Sequence, residues 1–189
     1  MVERPQPSPV TIEVSGLGAI DALEPLWLTL FDHHRAVGPG PFIDRSDSWP
    51  ARRRLYAQVL AEPDAFVAVA RRVEEPVGYA LVAVHEGPDD TWPTGDRFAE
   101  VETLAVVPAE RGQGIGTRLL DTVDDRLEQL GIATLFIAVM EGNDDAMRFY
   151  RRRGFRPSIT KLMRLGAIPP DQQERGGSST DDEPTPHTS

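Results

Sequence analysis

Three glycines alternate at positions 112, 114 and 116, where an apolar segment ends and an amphipathic segment begins. Glycine lets the backbone turn tightly and brings its N–H groups close to a ligand. The start of a helix adds unpaired N–H donors and a partial positive charge. A strand, this turn and a helix in succession therefore predict a site for a phosphate or pyrophosphate, whereas a plain strand–helix connection would need only one glycine.

Two common nucleotide-binding patterns do not match this turn. The P-loop pattern G-x-x-x-x-G-K-[ST] is absent, which disfavours a nucleoside triphosphatase. The spacing G-x-G-x-G over 112–116 also departs from the dinucleotide pattern G-x-G-x-x-G, and four residues separate the strand from the glycines. A nicotinamide-dependent oxidoreductase remains an alternative.

Hydrophobic periodicity and turn residues divide the chain into strands and helices. The predicted strands cover 10–14, 65–71, 77–84, 98–107, 133–140 and 159–165, and the predicted helices cover 17–37, 51–61, 117–130 and 144–153. The continuous apolar run over 133–140 is typical of a strand buried on both faces. Consecutive strands pair as an antiparallel meander, whereas strand–helix–strand units favour parallel pairing. We expect an α/β fold with a mixed, half-wound sheet, an antiparallel N-terminal meander and helices on both faces.

Composition restricts the class of protein. The chain has 189 residues, a formal net charge of −10 and no cysteine. The lack of cysteine excludes disulfides, thiolate catalysis and cysteine-built metal sites. The acidic charge disfavours nucleic acid as a partner and is compatible with cationic substrates such as amines.

The length and the two ends suggest how the chain is organised. Without a run of about 18 apolar residues we expect no membrane-spanning helix and no membrane partner. The N-terminus lacks an apolar signal core, so we expect a cytoplasmic protein. We expect a flexible arm over 1–9, one domain over 10–166, and a disordered acidic tail over 167–189.

Two motifs resemble those of the GCN5-related N-acetyltransferase (GNAT) family. The turn Arg111-Gly112-Gln113-Gly114-Ile115-Gly116 matches the family signature R-x-x-G-x-G/A. Residues 143–155, NDDAMRFYRRRGF, are similar to the family segment N-x-x-A-x-x-F-Y-x-x-x-G-F. A helix and a strand are predicted between the motifs, and the resemblance covers roughly residues 10–165. The order of predicted elements is also that of the family.

The resemblance implies a GNAT domain that binds acyl-CoA, with acetyl-CoA as co-substrate and no metal. In the family the backbone N–H groups of the turn hold the pyrophosphate, which here implies Arg111, Gly112, Gln113, Gly114, Ile115, Gly116 and Thr117. The family's fourth strand pairs with the pantetheine arm, which here implies Leu104, Ala105 and Val106. The resemblance also implies that Asn143, Ala146 and Tyr150 lie beside the cofactor arm, although Asn143 could also be a plain helix N-cap.

The reaction that the resemblance implies is direct acetyl transfer to a primary amine of a small molecule or protein. Tyr150 is the candidate acid, because a phenol can donate a proton to the departing thiolate; the alternative is a core tyrosine. Family members place a catalytic Glu on the fourth strand, though not at one fixed position. Here Glu100 and Glu102 point to one face of that strand, and Glu102 is the preferred base, with Glu100 next. Solvated side chains are the alternative for these two acids.

The first helix and the residues after it wall the acceptor pocket in the family. His33, His34 and Trp49 are therefore candidate substrate-binding residues. Adjacent histidines point in different directions on a helix, so His33 and His34 make a poor metal-binding pair. A homodimer is compatible with the family. A non-catalytic acyl-CoA-binding or regulatory module on the same fold is the alternative function.

Overall fold

The strands of the computed structural model, which describes residues 8–88, 91–164 and 166, form one open sheet. They are β1 (Val10–Ser15), β2 (Phe66–Arg72), β3 (Glu75–Glu86), β4 (Arg97–Val106) and β5 (Leu135–Ile137), in the spatial order β1-β2-β3-β4-β5. The first four pair antiparallel, and β5 pairs parallel with β4. The predicted mixed sheet with an antiparallel N-terminal meander is confirmed.

Helices cover both faces of this sheet, as predicted. They are α1 (Glu24–Val37), α2 (Arg45–Val59), α3 (Ile115–Gln129) and α4 (Asp144–Arg152), and short 3-10 helices span Leu17–Leu23 and Pro108–Glu110. None of the helices in the described ranges combines the length and hydropathy needed to cross a bilayer.

One core lies between the sheet and α3. Leu119, Leu120, Val123 and Leu127 recur at helical spacing and are buried against apolar residues of β2, β3 and β4. Burying a side chain of this size contributes roughly 1.5–3 kcal/mol. Gly131 follows the helix with a φ of +70°, a conformation that glycine adopts without strain, so the helix ends there.

The second core lies on the opposite face, under α1 and α2. Leu26, Trp27 and Phe31 of α1 pack with Trp49 and Tyr56 of α2 over β2, β3 and β4. The Trp27 Nε1–H donates to the Ser48 hydroxyl over 2.9 Å, and both groups are buried. The sheet therefore separates two apolar cores.

The structure corrects the predicted start of the second helix. The sequence places a loop over 42–50 and the helix from 51, with Pro50 at its start, but α2 begins at Arg45 and Pro50 lies inside it. The first turn forms because the Asp47 and Ser48 N–H groups both bind the Asp44 carbonyl. Burial of Ser48 and Trp49 then favours the longer helix, which is a tertiary effect that local sequence does not reveal.

Two predicted strands are also corrected. The strand predicted over 133–140 is reduced to Leu135–Ile137 and is half-buried, because β5 is the edge strand and pairs with β4 alone. Residues 159–164 join no strand of the described sheet, and Ile159, Leu162 and Met163 are 68%, 89% and 66% exposed. Apolar alternation favours a strand there, but a strand needs a partner. Residues 1–7, 165 and 167–189 of the predicted arm, last strand and tail lie outside the described residues.

Candidate active site

A groove of about 530 Å³ opens where β4 and β5 separate. Their pairing ends at Val101 and Ile137, while β4 continues to Val106. The groove is lined by the predicted residues Leu104, Val106, Arg111, Gly112, Gly114, Ile115, Gly116, Thr117, Asn143 and Ala146, and by Leu30, His33, Glu110, Asp145, Phe149 and Arg152. Its volume is within the range of small-molecule sites, roughly 300–1,000 Å³.

The glycine-rich turn forms one end of the groove. Gly112 and Gly114 have φ values of +76° and +78°, which side-chain-bearing residues rarely adopt. Gly114 is followed directly by the first residue of α3, so the unpaired N–H groups of the helix start adjoin the groove. Arg72 of β2 makes a two-pronged ion pair with Glu110 at 2.8 and 2.6 Å, which braces the turn against the sheet.

The side chains of this turn bind the protein itself. The Gln113 amide oxygen accepts a hydrogen bond from Arg72, and its amide nitrogen donates to the Ala109 carbonyl. The Arg111 Nε–H donates to the Val106 carbonyl over 3.0 Å. The turn therefore presents mainly backbone N–H groups to the groove, and Gln113 does not line it with its side chain.

The unpaired part of β4 forms the second wall. The Val107 N–H donates to Val77 on β3, and backbone groups alternate in direction along a strand. The backbone groups of Leu104 and Val106 therefore point away from β3, toward the gap. Their side chains line the groove, whereas the Ala105 side chain is buried in the core under α1 and α2.

The start of α4 closes the third side. The Asn143 side-chain oxygen accepts from the Ala146 N–H over 3.2 Å, so the predicted N-cap is confirmed, and both residues line the groove. A Cβ placed on Gly116 would meet the Phe149 ring at 3.4 Å. This close approach lets α3 and α4 converge on the groove.

Tyr150 lies in the core beside the groove rather than on its wall. It is 6% exposed and packs against Phe149 and Phe155, with ring centroids 5.1 and 5.6 Å away. Its hydroxyl forms no hydrogen bond with any residue in the described ranges. Burial raises the pKa of the Tyr150 phenol, so the group is protonated at neutral pH.

The two predicted acids meet a histidine that sequence reasoning missed. Ligand atoms of His85, Glu100 and Glu102 lie within 4.8 Å of one another, and the His85 Nε2 is 3.9 Å from a Glu100 carboxylate oxygen. Burial, and then the charge of Glu100, raises the pKa of Glu102. Such a cluster could bind a cation, either a metal ion or an ammonium group.

Glu102 occupies a bulge in β4. Leu81 pairs with Thr103 and Val82 with Val101, so Glu102 has no partner on β3. Its carbonyl accepts from the Thr103 hydroxyl over 2.7 Å, and Thr103 in turn accepts from the Tyr56 hydroxyl over 2.6 Å. The Tyr56 proton is thus engaged, so the Tyr79 hydroxyl, 2.8 Å away, donates to Tyr56. A buried chain of hydroxyls holds the bulge where β4 leaves β5.

The predicted acceptor residues separate into different environments. His33 lines the groove, whereas His34 lines a second cavity of about 300 Å³ beside it. Burial, followed by the charges of His33 and Arg52, lowers the pKa of His34 to about 4, so the ring is neutral at pH 7. Trp49 is buried in the core against Tyr56 and lines neither cavity.

Several groove and cavity residues escaped sequence reasoning. Leu30 and His33 are three positions apart and share a helix face, a spacing that could have indicated Leu30. Phe149 both packs against the Tyr150 ring and lines the groove. His85 and Arg52 gave no signal, because strand register and helix packing alone bring them to this region.

Comparison with known proteins agrees with this geometry. The model of the "Acetyltransferase (GNAT) family" matches residues 27–155. The chain is 32% identical over 111 residues to the IAA acetyltransferase of Azospirillum brasilense, covering 58% of this chain and 67% of that protein. It spans about two thirds of the length of the first curated relatives that it matches.

Solved structures share the fold. A GCN5-related N-acetyltransferase from Ralstonia eutropha superposes with a TM-score of 0.68 at 18% identity, covering 83% of this chain and 99% of that one. An aminoglycoside N-acetyltransferase in complex with CoA superposes with a TM-score of 0.64 at 14% identity, covering 88% and 100%. At these identities the likeness concerns the fold alone.

Proposed function

Because the chain belongs to the acetyltransferase (GNAT) family, we propose that it transfers an acetyl group from acetyl-CoA directly to a primary amine of a small molecule or protein. The observation that carries this proposal is the groove between the unpaired edge of β4, the glycine-rich turn and the start of α4. Its three walls differ in chemistry, and each suits a different part of an acyl-CoA.

The residues present fit acetyl-CoA. The N–H groups at 111–117 suit a pyrophosphate, because the turn is held open by two left-handed glycines and leads into a helix start. The Leu104 backbone groups and the Val106 N–H face the gap beyond β5 and suit the amides of a pantetheine arm, as an added strand would, whereas the Val106 carbonyl already accepts from Arg111. Arg152 adds a cation at the rim. A solved structure of the same fold holds CoA, which supports the assignment.

Tyr150 serves as the acid in this proposal. Acetyl-CoA, when bound, supplies an activated thioester, and the departing sulfur needs a proton. The Tyr150 phenol is protonated, and its hydroxyl has no bond to a described residue that would have to break first. A core tyrosine whose hydroxyl is satisfied by the protein fits these observations less well, since no described residue bonds to the Tyr150 hydroxyl.

Glu102 serves as the base, directly or through water. An amine reaches the site protonated and must lose a proton before it can attack. A carboxylate whose pKa is raised by burial is a stronger base than a solvated one, and Glu102 lies at the bulge where β4 opens. Because the chain has no cysteine, transfer proceeds without a cysteine-bound acyl intermediate.

A non-catalytic acyl-CoA-binding module is the second candidate. The observation that favours it is that Tyr150 packs in the core and does not line the groove. Such a module would bind acetyl-CoA and release no thiol with any amine.

The test is a calorimetric titration with acetyl-CoA, with NADH as the control ligand. Saturable binding of acetyl-CoA alone supports the proposal and justifies measuring free-thiol release with a panel of amines. If acetyl-CoA does not bind, the proposed function is wrong. If it binds and no amine in the panel releases thiol, the non-catalytic module is favoured.

A further inference from the structure

The second cavity, beside the groove, combines an aromatic wall with one cation. It is lined by Trp27, Phe31, His34, Phe42, Ile43, Ser48, Ala51, Arg52, Leu55 and Met140. Trp27, Phe31 and His34 belong to α1. On the surface of that helix they lie next to Leu30 and His33, which line the groove. A molecule in this cavity would therefore lie beside one in the groove, as an acceptor must.

Arg52 is stacked and has unused donors. Its guanidinium carbon lies 3.8 Å from the centroid of the Trp27 ring and 5.6 Å from that of Tyr56. Among the described residues it forms no hydrogen bond or ion pair, whereas Arg45 and Arg53 of the same helix bind Asp32 and Asp21. Stacking occupies the faces of a guanidinium and leaves the N–H groups at its edge available for a planar oxyanion.

The platform under Arg52 is rigid. The Trp27 indole is fixed by its hydrogen bond to the buried Ser48 hydroxyl. Tyr56 is fully buried and is held by the hydroxyl chain through Thr103. A cation placed on such a support loses little freedom when it binds a ligand, which favours a role in recognition.

Opposite charges share this side of the sheet. Tyr56, under Arg52, bonds to Thr103, the neighbour of Glu102 in the bulge. Two carboxylates and a histidine there suit an ammonium group, and Arg52 suits an anion. The two lie near enough for the Arg52 charge to act on Glu102, where it lowers the pKa against the larger effects of burial and Glu100.

Resting on the proposed function, we propose that Arg52 determines acceptor specificity by binding an oxyanion of the substrate. The acceptor is then an amine with an apolar or aromatic body and a carboxylate or phosphonate group. This class differs from the purely cationic amine that the acidic composition suggests.

Binding to the full-length protein saturated with CoA tests this assignment without requiring turnover. The probes are 4-(2-aminoethyl)benzoate, its phosphonate counterpart 4-(2-aminoethyl)phenylphosphonate, and the neutral 4-(2-aminoethyl)benzamide. We expect at least one acid to bind about 10-fold or more tighter than the amide, since a hydrogen bond to a charged group contributes about 1.5–3 kcal/mol. The two acids distinguish a carboxylate site from a phosphonate site.

Variants assign the effect to this side chain. Arg52→Gln should abolish the preference for the acids and leave amide and CoA binding unchanged, and Arg52→Lys should restore only part of it. Arg54→Gln, an exposed arginine of the same helix, is the matched control and should keep the preference.

The outcomes separate this inference from the proposed function. If wild type binds both acids no better than the amide, or if Arg52→Gln keeps the preference, the role of Arg52 is overturned while acetyl-CoA binding stands. If CoA and acetyl-CoA do not bind at all, the proposed function itself fails, and the inference falls with it.

Discussion

Tyr150 shows how one residue can meet two opposing demands. Its ring is part of the core, between Phe149 and Phe155, yet its hydroxyl lacks a partner among the described residues. A hydroxyl that bonds to no protein group adds no hydrogen bond to the fold, so phenylalanine would pack in the same core about as well. The proposed proton donation would give this hydroxyl a use outside folding.

Replacing Tyr150 with phenylalanine separates these roles. We expect the turnover number for acetyl transfer to fall by about 10²-fold or more, because a general acid contributes about 10²–10⁴-fold. The free energy of unfolding should stay the same or rise, since the apolar ring is kept. The affinity for acetyl-CoA should stay near normal. Steady-state thiol release, urea unfolding and calorimetry with acetyl-CoA measure the turnover number, the free energy of unfolding and this affinity. Unchanged turnover would remove Tyr150 from the mechanism.

Sequence identifies those site residues whose position follows from the local backbone alone. The glycines of the turn, Asn143 and Ala146 line the groove because spacing alone places them at a helix start. Ala105 and Gln113 belong to the same motifs, but their side chains turn to the core and to Arg72. His85 and Arg52 reach this region only through strand register and helix packing, so no local sequence pattern could have indicated them.

The bulge in β4 is the element that creates the site. One unpaired residue, Glu102, changes the direction of the strand, so that pairing with β5 stops at Val101. The remaining five residues of β4 then lie beyond the pairing with β5 and border the groove. The predicted strand over 98–107 contains no glycine or proline that would reveal this irregularity. Sequence therefore predicts the strand and its neighbours, but it does not predict the bulge at which β4 separates from β5.

Thr103→Val tests whether the hydroxyl chain holds the bulge. Valine keeps the shape of the side chain, but it removes the donor to the Glu102 carbonyl and the acceptor for Tyr56. We expect the free energy of unfolding to fall by about 1–3 kcal/mol, because buried polar groups lose partners. We also expect slower acetyl transfer, because Glu102 is no longer held in place.

The matched control for this change is Thr122→Val. Thr122 lies on the exposed side of α3, where its hydroxyl only bonds back to the Arg118 carbonyl. Its loss should change stability by no more than about 0.5 kcal/mol. Equal effects of the two substitutions in urea unfolding would show that the hydroxyl chain has no special role.

For the whole molecule, the groove is where otherwise separate parts meet. Residues from α1, β4, the glycine-rich turn, α3 and α4 all line it, and the two cores lie on opposite sides of the sheet that carries it. A ligand there contacts elements that belong to both cores. Binding should therefore stabilise the domain as a unit rather than a single loop.

Thermal unfolding with and without acetyl-CoA measures this coupling. A ligand at 100 times its Kd adds about 2.7 kcal/mol to the folded state, which for a domain of this size raises Tm by about 5–10 °C. Gly114→Val should lose this increase, because a side chain at a φ of +78° strains the turn that presents its N–H groups.

Gly131→Val supplies the matched control, because Gly131 has a similar φ of +70° and also has no atom within 4 Å of an added Cβ. It ends α3 at the far end of that helix from the groove. Both variants should lose at least about 1–2 kcal/mol of stability from backbone strain, but only Gly114→Val should lose the response to acetyl-CoA. If both keep the increase in Tm, the glycine-rich turn does not bind the pyrophosphate. If both lose it, general loss of stability rather than the turn explains the effect.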